Sequence, residues 1–141
     1  MSGDVRPEDF PAIATDKLRF ADTDSLGHVN NAVFSTFLET GRVEMLHGAA
    51  TGLPEPGAVF VIARLVLDYR GEINYPGSVV IGTRVSSVGR SSVRMEHAIF
   101  QDERCVATAE TVVVQMNEAS RKSQPFSETA RERLDALGGV R

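Results

Sequence analysis

The chain has 141 residues, 42% hydrophobic and 24% charged, an ordinary balance for one globular domain with one core. A chain of this size buries roughly two-thirds of the surface its unfolded form exposes, so neither a disulfide nor a structural metal is required. Its 15 basic and 19 acidic residues give a net charge of -4 with no basic run, which excludes the electrostatic footprint of a nucleic-acid binder.

Residues 1–14 hold three acids and two prolines without an apolar stretch and read as a loose polar lead-in, neither signal peptide nor transit sequence. No run of about 18 apolar residues occurs, so no membrane span is expected. The lone Cys105 lies in an apolar run and reads as an inert core thiol, which suits a reducing compartment. The cytoplasm is the expected location.

Residues 17–21 read as a short first strand, followed by a polar loop over 22–29. The spacing predicts a helix over 31–47: Phe34, Phe37, Leu38, Gly41 and Met45 recur at steps of three and four. Asn30 or Asn31 supplies its N-cap, and Gly48 follows as a stop. Gly41 in mid-helix costs about 1 kcal/mol of propensity against alanine, tolerable where another backbone packs closely. After a Gly/Pro-rich break over 52–57 the period becomes alternating, with Val61, Ala63, Leu65, Leu67 and Tyr69 on one parity and Arg64, Asp68 and Arg70 on the other.

Asn74-Tyr75-Pro76-Gly77 is a turn signal. Further strands are predicted over 79–88, 93–100 and 105–116, joined by tight turns at 89–91 and 101–104 that require antiparallel neighbours. Val112-Val113-Val114 reads as buried on both faces. His97 alternates with Val93, Met95 and Ile99, as a satisfied core histidine would. Residues 127–137 read as a short, charged terminal helix.

The expected class is therefore α+β, a single domain over 1–141 built as strand, long apolar helix and four strands. One helix covers only one face of such a sheet, so self-association is the simplest source of further cover.

The densest cluster of functional groups is Arg19-Phe20-Ala21-Asp22-Thr23-Asp24-Ser25-Leu26-Gly27-His28-Val29-Asn30-Asn31. It feeds the helix N-terminus, where unpaired N–H groups and the positive end of the dipole gather. Such amides stabilise a carbonyl oxygen that turns negative, and a nearby carboxylate can attack the carbonyl or deprotonate a water. Gly27 permits a tight turn and close approach of a substrate. The plainer reading is an Asx-rich turn that only caps the helix. A cap needs one asparagine, however, and this segment offers two acids, a histidine and a spare amide.

With Phe34, Phe37, Glu39 and Arg42 added, the segment resembles the 4-hydroxybenzoyl-CoA thioesterase branch of the hotdog-fold acyl-CoA thioesterases. The resemblance implies a hotdog fold, a long central helix wrapped by an antiparallel five-stranded sheet. It also implies a homodimer or homotetramer with sites at the interface of paired protomers. It assigns the catalytic carboxylate to Asp24 and the oxyanion-binding N–H to Asn31. His28, Gly27 and Asn30 would lie near the thioester, with His28 in a catalytic role, and Asp22 is structural.

Along the helix, the resemblance implies that Phe34 faces the acyl group and makes Glu39 a further candidate, although Glu39 and Arg42 could simply pair. Arg90, Ser91 and Ser92 match a position that the resemblance implies lies near the coenzyme A groove; Arg64 and Arg70 are weaker phosphate candidates. Phe34 and Phe37 stand where relatives often carry tyrosine, which favours an aliphatic or plain aromatic acyl group.

No serine-hydrolase elbow, dinucleotide fingerprint or phosphate loop is present, and His28, His47 and His97 are too scattered to suggest a metal site. The leading expectation is hydrolysis of an acyl-CoA with no cofactor beyond the coenzyme A of the substrate. Two others stand beside it: the same chemistry on an acyl carrier protein, and a non-catalytic domain that binds an acyl or aromatic ligand.

Overall fold

A computed structural model of the chain describes residues 1–48 and 51–139. Its elements are β1 (Ala12–Lys17), α1 (Val33–Leu46), β2 (Ala58–Tyr69), β3 (Ser78–Val88), β4 (Ser92–Gln101), β5 (Arg104–Asn117) and α2 (Glu128–Asp135). The five strands form one antiparallel sheet in the order β1-β3-β4-β5-β2. α1 lies across its inner face and buries Phe34, Phe37, Leu38, Gly41, Met45 and Leu46. Full burial of each large apolar side chain stabilises by roughly 1.5–3 kcal/mol, so tertiary packing holds this helix more than its own propensity does. At Gly41 helix and sheet approach closely: a Cβ there would stand 2.6 Å from Ile81 Cγ2 and 2.9 Å from Thr83 Oγ1.

The stripe of three- and four-residue steps and the three later strands fall within a residue or two of their expected bounds. The 101–104 turn is tight because Asp102 and Glu103 both take positive φ, 51° and 65°, as a two-residue hairpin loop demands. His97 is fully buried, its Nδ1 3.2 Å from Thr83 Oγ1 and its Nε2 2.7 Å from Thr111 Oγ1. Cys105 is half-buried, and burial pushes its thiol pKa up.

Four expectations need correction. The first strand is Ala12–Lys17 rather than 17–21. Leu18 is buried beyond its end, and Phe20, 75% exposed, opens a single 3-10 turn, Phe20–Asp22. The segment read as loose is anchored: Phe10 is buried, packs edge-to-face on Phe100 at 6.3 Å, and has the Arg84 guanidinium over its ring. On β2 the parity is broken by a bulge between Ile62 and Arg64. Ala63 is the extra residue, so Phe60 and Ile62 share the face of Leu65, Leu67 and Tyr69, and Val61 falls on the other. Finally, only Val113 of the valine run is buried; Val112 and Val114, on the outer face, are half-buried.

β2 ends the sheet with an unpaired edge of 12 residues. Val61, Ile62, Leu65 and Val66 are all exposed along it.

Candidate functional site

The loop before α1 is built from local hydrogen bonds. Asp22, only 3% exposed, accepts the Arg19 backbone N–H at 2.9 Å and pairs with the Arg19 guanidinium at 2.9 Å. Burial pulls the Asp22 carboxyl upward, but the Arg19 hydrogen bonds and charge together outweigh it and hold it below the usual carboxylate range. Asp22 also accepts the Asn30 N–H through its carbonyl at 2.8 Å, so it clamps both ends of the loop. Both of its carboxylate oxygens are spent on Arg19.

The chain then turns back on itself. Thr23 bridges Val29, Asp24 donates its N–H to the His28 carbonyl at 2.9 Å, and Gly27 donates to the Asp24 carbonyl at 3.1 Å. Gly27 takes φ +83°, a conformation glycine adopts without steric cost. Within this turn Asp24 Oδ1 accepts the Leu26 N–H at 2.9 Å. Its Oδ2 has no hydrogen-bond partner among the described residues.

The helix entry follows directly. Asn30 Oδ1 accepts the Ala32 N–H at 2.9 Å, and the Asn30 carbonyl accepts Val33 N–H at 2.9 Å. The N-cap position falls on Ala32, which has no side-chain cap, so Asn30 fastens the entry from two residues upstream. The Asn31 N–H has no acceptor among the described residues, and it stands at the positive end of α1.

Asp24, His28, Asn31 and Phe34 line one cleft of about 320 Å³, together with Leu26, Val29, Tyr69, Gly71 and Glu72. His28 Nε2 lies 3.1 Å from Glu72 Oε2, which orients the imidazole from the facing segment. Tyr69 stacks edge-to-face on Phe34 at 5.0 Å and donates its hydroxyl to the Asn31 carbonyl at 2.9 Å. A residue with a free carboxylate oxygen and one with an unpaired helix-start amide therefore line the same cavity. That is the minimum equipment for acyl transfer: a nucleophile or base, and a donor for the oxyanion.

Other candidates fall elsewhere. Gly27 and Asn30 shape the loop without lining the cleft. Glu39 is exposed, 4.0 Å from a largely buried Arg42, on a separate cavity of about 180 Å³ against Phe60, Ile62 and Val113. Burial lowers the Arg42 pKa, and Glu39 partly offsets this.

Arg90, Ser91 and Ser92 sit in the β3–β4 hairpin, where the Arg90 and Ser91 carbonyls accept the Phe126 and Gln115 N–H groups. Their end of the sheet, where Ser92 pairs with Val114, is seven residues along β5 from Ala107, the partner of Tyr69. That is about 24 Å at strand rise, so within one chain they do not reach the cleft. Arg70 is tied to Thr108 Oγ1 and the Met1 carbonyl instead of the cleft.

Leu26, Val29, Tyr69, Gly71 and Glu72 are the cleft residues that sequence reasoning missed. Residues 71–74 reach it because Val29 N–H donates to the Ile73 carbonyl at 3.0 Å and His28 bridges Asn74. This pairing spans more than 40 positions, and no local pattern announces it. Among the described residues no group of three or more His, Cys, Asp or Glu could hold a metal ion, and no helix is long and apolar enough to cross a membrane.

Comparison with known proteins bears on this geometry. The sequence model of the Thioesterase-like superfamily matches residues 18–134. A thioesterase from Thermus thermophilus, solved in complex with coenzyme A and Zn, is 35% identical with TM-score 0.81, covering 92% of this chain and 96% of that one. The PA5185 protein from Pseudomonas aeruginosa is 26% identical with TM-score 0.86, covering 96% of each chain.

A curated relative, the chloroplastic acyl-acyl carrier protein thioesterase ATL3 of Arabidopsis thaliana, is 26% identical over 88 residues. That match takes in 60% of this chain and 46% of the relative, so the chain spans about half the length of the curated protein it matches. The fold is the hotdog arrangement, shared with the Thermus thioesterase.

Proposed function

Because the chain belongs to the thioesterase-like superfamily, we propose that it hydrolyses the thioester of an acyl-CoA to a carboxylic acid and free coenzyme A. The observation that carries this reading is the shared cleft: Asp24, with one carboxylate oxygen unbonded, and Asn31, with its N–H unpaired, line the same cavity. Asp24 attacks the carbonyl carbon, or takes a proton from the water that does. The carbonyl oxygen becomes negative beside the Asn31 N–H and the α1 dipole. Collapse of the tetrahedral species expels the thiolate of coenzyme A; where Asp24 has attacked, water then hydrolyses the acyl-aspartyl anhydride, and in either route a proton from that water ends on the thiolate. His28, oriented by Glu72, lines the wall near the thioester, and Phe34 offers an apolar surface to the acyl group. The reaction needs no separate cofactor, since coenzyme A arrives with the substrate.

The working unit is a homodimer formed through β2, or a tetramer built from two such dimers. An exposed apolar edge strand of 12 residues is a pairing surface that must be covered. Antiparallel pairing of two β2 edges sets the Ala58 end of one against the Tyr69 end of the other. The partner's β3–β4 hairpin then comes to this cleft, and Arg90, Ser91 and Ser92 serve in trans as the coenzyme A contact they cannot make in cis. We place the enzyme in the cytoplasm, in keeping with its single half-buried thiol.

The similarity to an acyl carrier protein thioesterase supports a second reading with a different carrier. The net charge of -4 opposes docking of an acidic carrier, and coenzyme A is bound in the 35%-identical thermophile structure. The test is thiol release from acetyl-, hexanoyl-, palmitoyl- and benzoyl-CoA, and from hexanoyl carrier protein, by wild type and Asp24→Asn. Loss of one transition-state group commonly costs about 10²–10³ in turnover, and Asp24→Asn should lose at least that. Equal rates for the two proteins would sink the assignment, and preference for the carrier protein would exchange the substrate.

A further inference from the structure

We propose that Tyr69 is a positioning residue for the oxyanion-binding amide, acting from the edge strand on the first turn of α1. This rests on the reading that the Asn31 N–H receives the developing negative charge.

The entry to α1 is weakly fastened by its own residues. Its N-cap, Ala32, has no capping side chain. Its first bonds are short-range, Val33 N–H to the Asn30 carbonyl at 2.9 Å and Phe34 N–H to the Asn31 carbonyl at a long 3.3 Å. A helix start of this kind frays readily, and an amide that swings through several directions is a poor oxyanion donor. Preorganisation is the source of the effect.

Tyr69 supplies what the segment lacks. Its hydroxyl donates to the Asn31 carbonyl at 2.9 Å across 38 positions of sequence. Among the described residues this is the one hydrogen bond from outside the loop and helix to the backbone of residues 31 and 32. The ring, half exposed, packs edge-to-face on the buried Phe34 at 5.0 Å, which restricts the position of the hydroxyl. Anchoring Asn31 by its carbonyl restricts rotation about the same residue and with it the direction of its N–H. Tyr69 also lines the cleft, so its loss is felt where the carbonyl sits.

Tyr69→Phe removes the hydroxyl and keeps the ring on Phe34. For whichever of the acetyl-, hexanoyl-, palmitoyl- and benzoyl-CoA probes wild type turns over fastest, kcat should fall about fivefold, the worth of one neutral hydrogen bond. KM should stay within about twofold and the melting temperature within about 2 °C. A merely structural role would instead move the melting temperature, or raise KM along with any loss in kcat.

Backbone amide exchange gives a readout independent of turnover: the Val33 and Phe34 amides, bonded to the Asn30 and Asn31 carbonyls, should exchange several-fold faster in the variant, with β4 and β5 unchanged. Unaltered kcat together with unaltered exchange overturns the role of Tyr69. Asp24→Asn, run beside it, separates the two ideas. An inactive Asp24→Asn with a fully active Tyr69→Phe defeats only the positioning role, whereas an active Asp24→Asn defeats the reading of the site beneath it.

Discussion

His97 lies at 0% exposure on the sheet floor beneath α1, both ring nitrogens spent on threonine hydroxyls. Burial, with the Arg42 charge adding to it, pushes its pKa down to about 3 from 6.5. The folded protein therefore keeps this ring neutral at any pH above about 3, while the unfolded chain takes up a proton below 6.5. Between those limits the unfolded state binds more protons, so stability falls as pH falls, approaching about 1.4 kcal/mol per pH unit.

Integrating from about pH 7 to pH 5 gives a loss of about 2 kcal/mol from this one residue, a large share of a typical domain's margin. The assay is urea unfolding at about pH 7, 6 and 5 for wild type and His97→Gln. The variant is less stable at neutral pH, because it repacks a buried site. Other titrating groups cancel in the difference, so the gap between the two proteins should narrow by about 2 kcal/mol on going to about pH 5. Parallel curves, with a constant gap, would show that His97 titrates in the folded protein and would refute the reasoning.

Gly41→Ala pits propensity against space. The helix gains about 1 kcal/mol, but the added Cβ meets the stiff branch of Ile81 at 2.6 Å, and overpacking costs about 1–3 kcal/mol. A lowered melting temperature is expected; a raised one would mean that helix and sheet separate without cost. Gly27→Ala forces an L-residue into φ +83° at about 1–2 kcal/mol, in the turn that aims Asp24, so kcat should drop more than global stability accounts for.

The parts of the fold legible from sequence are those whose signal is local and periodic. Phe34, Phe37, Leu38, Gly41 and Met45 fall on one helical stripe, and all are buried. The turns at 89–91 and 101–104 announce themselves through glycine and polar residues. β1 was displaced because its inward residues, Ala12, Ala14 and Asp16, carry little apolar weight, while Leu18 and Phe20 just beyond it carry more. The phase of β2 was lost at Ala63 because a bulge is a property of two strands and is invisible in one. The cleft divides in the same way. Asp24, His28 and Asn31 stand within eight positions of one another and were read together, whereas Tyr69 and Glu72 come from another segment.

That second segment is itself secured from a third. The buried Gln101 at the end of β4 holds Asn74 at both its backbone groups, accepting its N–H at 2.9 Å and donating to its carbonyl at 2.7 Å. Asn74 bridges His28, and Ile73 accepts the N–H of Val29. The loop that carries Asp24 is therefore a strip of backbone pairing, fastened through Asn74 to the most buried part of the sheet. A carboxylate on a free loop would sample many directions, and each would weaken its alignment with a carbonyl carbon. Here the hydrogen bonds that position Asp24 begin at the buried Gln101 and end on the cleft residues His28 and Val29, while those that position Asn31 arrive from the edge strand through Tyr69. The two halves of the site are held from different strands of the sheet, so the alignment of base and amide depends on the curvature of the whole sheet around α1.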